Sequence, residues 1–422
     1  MNDPGAAPES STVPARPGED DPYAVLRNRN FALYLTARFL ASLAQQMLAV
    51  AVGWEIYERT HRSLALGYVG LVQMLPMFLF IFPAGHVADN HDRKKVILWT
   101  QLGLAVTCAG LAVVSRLQAP VGWIYCCLFL LGTARTYLWP ASASFMPQLV
   151  PRELFARAVA WNTGSFQIAA VLGPAAGGGL IALTHSAFQV YVFNAVALVV
   201  CFGLISAVRS RQAPSAREPM SLRSLIAGLK FVHRTKVVLG SITLDMFAVL
   251  LGGATAMLPV YAKDILKSGP GGLGLLQAAL PLGSLLMAAV MVHRPPLQKA
   301  GRALLWGVAI FGLATVAFGY SRWFWFSFTM LLVCGASDYV SVVVRHTLVQ
   351  MQTPDEMRGR VSAVNSLFIG TSNQMGEFES GFVASLTNPV FAVVSGGIGT
   401  IVVVIAAAFM WPEIRRYGRL DT

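Results

Sequence analysis

Twelve stretches of the chain are nearly free of charge and about as long as a bilayer is thick, and most are separated by only a few polar residues. They fall at about 31–57, 66–84, 96–114, 121–146, 158–183, 188–208, 237–262, 272–292, 303–320, 324–350, 360–386 and 390–411. An α-helix needs roughly 20 apolar residues to cross the hydrocarbon of a membrane. Hydrocarbon satisfies no backbone N–H or C=O, so each stretch is expected to be a helix. The fold class that follows is an all-α membrane protein of twelve transmembrane helices. Composition agrees, since 55% of the 422 residues are hydrophobic and 12% are charged. A formal charge of +12 would suit a nucleic-acid binder. Here, however, the cations punctuate apolar runs instead of gathering on a soluble module, so the expected partner is a lipid bilayer and no nucleic acid.

The cations also orient the spans. With both termini cytoplasmic, twenty-three Lys and Arg fall on cytoplasmic segments and six on outer ones, which is the bias that fixes topology. The first 22 residues are proline-rich, carry scattered acids and lack the apolar core of a signal peptide, so they read as a disordered cytoplasmic tail. One long connection, Arg209–Lys236, divides the spans six and six. The expected plan is a tail over 1–24, a six-helix bundle over 25–208, a linker over 209–236, a second bundle over 237–411 and a tail over 412–422. Within the linker, Leu222, Leu225, Ile226 and Leu229 recur at helical spacing with Arg223 and Lys230 on other faces. That pattern suits an amphipathic helix on the inner membrane surface.

The second half repeats the first at an offset of 203 residues. Pro151-Arg152-Glu153 through Asn162 aligns with Pro354-Asp355-Glu356 through Asn365, with Pro, Glu, Arg, Ala and Asn in register. Both copies join the fourth span of their half to the fifth. In the second copy, Thr353, Pro354 and Glu356 read as N-cap, N1 and N3 of a capping box. The same offset sets Gly173-Pro174-Ala175-Ala176-Gly177-Gly178 on Gly376-Glu377-Phe378-Glu379-Ser380-Gly381. Proline removes a backbone donor and glycines remove side chains, so Gly173, Pro174, Gly177 and Gly178 mark a helix that bends and packs closely.

Charged groups inside spans are costly and mark pathways. Arg38, Glu55, Arg135, Asp245, Asp338, Arg345, Glu377 and Glu379 are the candidates. The offset places Arg135 on Asp338, opposite signs at matching depths. The first half thus brings cations to a central cavity and the second brings acids, an asymmetry that an anionic or zwitterionic cargo or a salt-linked gate would use. Structural bridges within each half are the competing reading, weighed evenly for Arg38 and Arg345. Glu377 and Glu379, two apart on a helix, cannot point to the same place. A carboxyl group partly withdrawn from water can take a proton on one side and lose it on the other. Asp338, Glu377 and Glu55 lead the proton-coupling candidates, followed by Glu379 and Asp245. Arg38, Gln45, Gln46, Arg135, Tyr137 and Arg345 are expected to line the substrate cavity.

Between the second and third spans lies Gly85-His-Val-Ala-Asp89-Asn-His-Asp92-Arg93-Lys94-Lys95. This loop resembles the signature loop of the major facilitator superfamily, with Asn90 where arginine is common and Asp92 where glycine is common. The resemblance implies two bundles related by an axis along the membrane normal. It also implies a cytoplasmic gate in which Gly85, Asp89, Asp92 and Arg93 meet the start of span 11 at Arg358 and Arg360. The Gly173–Gly178 run resembles the superfamily's antiporter motif, with Ala169 at a position often held by glycine. Val87-Ala88-Asp89, Ser221-Leu222-x-Ser224-Leu225 and His346-Thr347-Leu348-x-Gln350-x-Gln352-Thr353-Pro354 extend the likeness to the enterobactin-exporter-like branch of the drug:proton antiporters. That implies a monomeric exporter in the bacterial inner membrane, moving a drug or siderophore against protons without a cofactor. Arg135 departs from the acidic residue that siderophore exporters carry nearby. Lipid transport and proton-coupled uptake are the rivals within transport, and a non-transporting receptor or scaffold is the rival outside it. The five cysteines lie in apolar runs without metal-ligand spacing, and no nucleophile–base pair or phosphate loop lies outside the spans. Neither a metal site nor an enzyme is expected.

Overall fold

The computed structural model of the protein describes residues 23–209, 222–294 and 298–418, apart from the side chains of Asp89, residues 222–225 and Arg416. The tail expected over 1–24 lies outside the described residues except for its last two, as does 210–221 of the linker. The first six long helices are α1 (Arg29–Thr60), α2 (Ser63–Asn90), α3 (Arg93–Arg116), α4 (Val121–Phe145), α5 (Phe155–Thr184) and α6 (Phe188–Ala207). A shorter helix, α7 (Leu222–Arg234), precedes α8 (Lys236–Leu251), α9 (Gly269–Val292), α10 (Ala300–Tyr320), α11 (Phe324–Gln352), α12 (Asp355–Leu386), α13 (Pro389–Met410) and the short α14 (Pro412–Arg416). Among the described residues, eleven helical segments are long and apolar enough to cross a membrane. The twelfth long helix, α12, has 32 residues but is more polar, because it carries Asp355, Glu356, Arg358, Arg360, Glu377 and Glu379.

The repeat governs how the helices pack. In the first six, α1 packs on α5 and α6, α2 on α4, and α3 on α4 and α6. In the second six, α8 packs on α12 and α13, α9 on α11, and α10 on α11 and α13, the same arrangement. The halves meet chiefly through α2 against α12 and α5 against α9, again an equivalent pair. Glycines permit both crossings. A Cβ on Gly178 of α5 would fall 2.8 Å from Gly274 Cα of α9, and one on Gly381 of α12 would fall 2.7 Å from Gly67 Cα of α2. Gly178 and Gly381 are 203 residues apart, so the sequence repeat names both crossings. Both lie toward the face holding the α1–α2 and α5–α6 turns, here the far face; the opposite one, holding the starts of α1 and α12, is the terminal face.

The apolar core follows the same geometry. One cluster joins the halves, running from Met47, Ile56 and Leu111 to Met257, Tyr261 and Leu276, toward the far face. Nearer the terminal face each half keeps its own core, around Tyr34, Ile97 and Phe145 in one and Leu244, Leu304 and Val344 in the other. Between helices in a membrane, close packing rather than exclusion of water supplies the cohesion, so the halves adhere most strongly at the far face, where the shared cluster and both glycine crossings lie.

Two local features differ from expectation. The stretch expected as one span at 237–262 is broken: α8 stops at Gly252, and a 3-10 turn (Ala254–Met257), Leu258–Val260 and a π-helical turn (Tyr261–Ile265) complete the crossing. Gly252, Gly253 and Pro259 weaken the helix there. The irregular backbone is tolerated because Thr255, Ala256, Leu258 and Pro259 line a cavity. The capping box is not formed, since Thr353 ends α11 and its hydroxyl donates to Val349 O at 2.5 Å. Pro354, not Thr353, is then the N-cap of α12. The linker helix α7 is present, with Val232 buried among Leu348, Val361 and Val364 and Gly228 against the backbone of Arg360. Ile226 and Leu229 on its other side are half exposed.

Candidate functional site

A cavity of about 520 Å³ lies between the halves at mid-height. Its walls come from α1, α2, α4 and α5 on one side, and from the broken α8 segment, α9 and α12 on the other. Leu48, Val52, Val69, Leu131 and Leu280 give it an apolar body, and Gln45, Gln46, Gln73, Gln167, Gln277 and Gln374 give it a belt of amides. Arg135 and Glu377 are the charged groups among its described lining residues, one from each half. Arg135 Nη1 donates to Gln73 Oε1 at 3.3 Å, which holds the guanidinium on the wall. Glu377 stands against Gly70 of α2, where a Cβ would lie 2.9 Å from Glu377 Oε2. The missing side chain at Gly70 thus leaves room for the carboxylate.

The bend motif frames this cavity. Pro174 lines it, and Gly173 lets Gln46 of α1 approach α5. Gly177 receives Met47 of α1, and Gly178 receives α9. A single helix therefore touches the first span, the cavity and the other half.

Of the residues expected on the wall, Gln45, Gln46 and Arg135 are there, with Glu377 from the acidic set. Arg38 lies beside it, in a side recess of about 60 Å³ inside the first half that also reaches Arg135. Tyr137 and Arg345, also expected on the wall, are not among the described residues that line this cavity. The Tyr137 ring lies 6.3 Å from that of Phe80. Arg345 is buried and committed within the second half: Nη2 is 3.2 Å from Asp245 Oδ2, and Nη1 donates to Asn365 Oδ1 at 3.1 Å. Asp245 is thereby drawn into a bridge between α8 and α11, and Asp338 is within electrostatic reach of both members. Asp338 itself does not line the cavity. Glu379 accepts from Ser380 Oγ at 3.4 Å and also lies off the wall, as its spacing from Glu377 requires. Glu55 is buried in an ion pair with Arg59, whose Nη1 donates to Ala119 O at 2.9 Å, at the far end of α1.

At the expected gate, α2 continues through Gly85 to Asn90, and Asp92 caps α3 by accepting from Lys94 N at 2.9 Å. Arg93 Nη1 donates to Ser144 O at 3.4 Å, within the first half. Arg358 pairs with Asp355 of its own helix at 2.6 Å, and Arg360 Nη1 lies 3.7 Å from Met357 Sδ. The Asp89 side chain is outside the described residues.

Sequence reasoning passed over four cavity glutamines, Gln73, Gln167, Gln277 and Gln374, and a polar latch at the far face. In the latch, Tyr57 OH donates to Asp264 Oδ2, and Lys263 Nζ meets Glu58 Oε2 at 2.8 Å, joining the far ends of the first span of each half. Opposite charges at matching span ends were the available signal. The exposed ion pair is worth about 0–1 kcal/mol and the hydrogen bond to a carboxylate about 1.5–3 kcal/mol. Tyr57→Phe should therefore loosen the far face more than Lys263→Met. The check is the distance between spin labels placed on the α1–α2 turn and the turn before α9.

The chain matches the transmembrane secretion effector family over residues 20–417. It is 26% identical over 396 residues to the enterobactin exporter EntS of Shigella boydii serotype 18, covering 92% of this chain and 93% of that protein. The EntS of Escherichia fergusonii aligns to the same extent. Among solved structures, a POT family transporter in complex with 5-aminolevulinic acid superposes with a TM-score of 0.73 at 10% identity, covering 92% of this chain and 97% of that one. The nucleoside transporter NupG superposes with a TM-score of 0.70 at 11% identity over 91% of this chain and 99% of that one. These likenesses share the helical packing derived above, and with a family match spanning nearly the whole sequence, the chain belongs to the transmembrane secretion effector family of the major facilitator superfamily.

Proposed function

We propose that the protein is a secondary active exporter, moving a small amphipathic molecule of siderophore type across the bacterial inner membrane in exchange for protons. Both termini are cytoplasmic in this reading, the terminal face is the inner one, and the monomer is the working unit. The observation that carries it is the polar cavity set between two equivalent bundles whose common apolar core lies toward one face only. Rocking the bundles about that cavity would open it to one side and then the other, as in repeat-built transporters. The 26% identity to enterobactin exporters over 92% of the chain supports export and the kind of cargo.

Glu377 is the first candidate for the proton site, because it is the acid on the cavity wall. Asp338 is the second, standing beside the Asp245–Arg345 bridge. Coupling needs a group whose proton occupancy differs between the two open states, and an acid at the bundle interface meets that need. In proteoliposomes, Glu377→Gln should abolish accumulation driven by a pH gradient yet keep cargo exchange within about threefold of the parent, a change of less than about 1 kcal/mol. Gradient-driven transport that survives both Glu377→Gln and Asp338→Asn would overturn the proton part. Transport indifferent to a protonophore in the parent protein would do the same.

A further inference from the structure

The cavity is specific enough to name a cargo chemistry, an inference that rests on the export reading above. Its belt of six glutamines supplies primary amides, each with two N–H donors and a carbonyl acceptor. Buried amides left unpaired are costly, so a molecule that displaces water from them must bring acceptors and donors of its own. The charges are one guanidinium and one carboxylate, and the latter is backed against α2. A lipophilic cation is held by aromatic faces and acids; among the described lining residues the aromatic is Phe166 and the acid is Glu377.

Behind Arg135 the cavity gains the small recess. Gln45, Leu48, Leu131 and Arg135 line both spaces, so the recess adjoins the chamber directly. Arg38 and Gln101 line its inner part, and no acid is among its described lining residues. Arg38 Nε and Gln101 Oε1 are buried without a hydrogen-bonding partner among the described residues, and Gln101 is 5% exposed. Two guanidinium groups without a carboxylate, an open donor and an open acceptor suit an anionic group with a neighbouring hydroxyl or N–H. The anion's oxygens accept from Arg38 and Arg135, and the neighbouring hydrogen goes to Gln101. At about 60 Å³ the recess is small beside the chamber of about 520 Å³, which suits it to one polar end group with the body of the cargo left in the chamber.

We propose that the cargo is a small amide-bearing acid, whose anionic end enters the recess between Arg38 and Arg135 while the glutamine-lined chamber hydrogen-bonds its amide and hydroxyl groups. The test uses the full-length protein in proteoliposomes with three radiolabelled probes: N-benzoylglycylglycine, its methyl ester and tetraphenylphosphonium. The acid should be transported with a kcat/KM at least about tenfold above the ester, the value of one good hydrogen bond to charge, and the phosphonium should not move. Arg38→Gln and Arg135→Gln should each bring the acid-to-ester ratio toward one. Arg38→Lys, which keeps the charge, should hold most of the ratio and shows that its loss is not a folding defect. A parent ratio near one, or a ratio that survives both glutamine variants, overturns the proposal. Phosphonium transport without acid transport overturns it too but leaves the export reading standing. Movement of none of the three probes counts against both.

Discussion

Gly178→Leu is expected to lower transport at least about a hundredfold, in protein that should still insert and keep its helical spectrum. Gly178 has no room even for a methyl group: a Cβ there falls 2.8 Å from both Gly274 N and Gly274 Cα, and closer still to Pro270 O. Every one of these neighbours is backbone, so no rotamer change relieves the clash and α5 must move off α9. Overpacking of this kind costs about 1–3 kcal/mol or more, and 3 kcal/mol moves a two-state equilibrium by about two orders of magnitude. The strain is felt only when the far face is closed, so the variant is held with that face apart. Gly381→Leu should act alike, through Gly67 and Ser63 O. Spin-label distances across the far face, set beside transport rates, check both. A leucine variant with parental distances and parental transport would show that these crossings do not govern closure.

The largest stability effect is expected at Arg345. Its side chain is 3% exposed and holds Asp245 and Asn365 together across α8, α11 and α12. Removing one member of a buried ion pair leaves the other charged and unmatched, a loss of about 3–5 kcal/mol. Arg345→Gln should lower the melting temperature in detergent by about 10 °C, given about 2–4 °C per kcal/mol for domains of 150–250 residues. Asp245→Asn should destabilise as well, by removing the carboxylate paired with the guanidinium. The double variant should recover at least half of the single loss, because neither charge is then stranded. Arg345→Lys should fall short of the parent, since an ammonium cannot reproduce the forked contacts to two partners. Additive losses in the double variant would show that the two side chains act separately.

These two cases also show what could be read before the helices were assembled. Length and apolarity placed the spans, because hydrocarbon leaves the backbone little choice. The 203-residue repeat was legible as letters and survives as packing, with Gly178 and Gly381 as equivalent contacts. Gln45, Gln46, Arg135 and Glu377 were legible because polar groups are rare inside spans. Gln73, Gln167, Gln277 and Gln374 were not: a single uncharged amide in an apolar run looks like tolerated variation until four helices bring such amides to one wall. Arg345 and Asp245 were visible as charges, but their pairing depends on which helices are neighbours, and that lies beyond a one-dimensional pattern. The break after Leu251 had its letters in Gly252, Gly253 and Pro259, and the apolar run hid them. Thr353 shows the limit of local motifs, since its hydroxyl was already taken by the preceding helix.

Pro174 has a side chain on the chamber wall and a carbonyl pressed on Gly274 of the opposite bundle. No residue stands between what sits in the chamber and what seals it. A guest too bulky for its place would therefore press on the seal through a single peptide unit, and fitting and locking would become one mechanical event. Selection by size would then come without a separate sensor, written into the thickness of one proline.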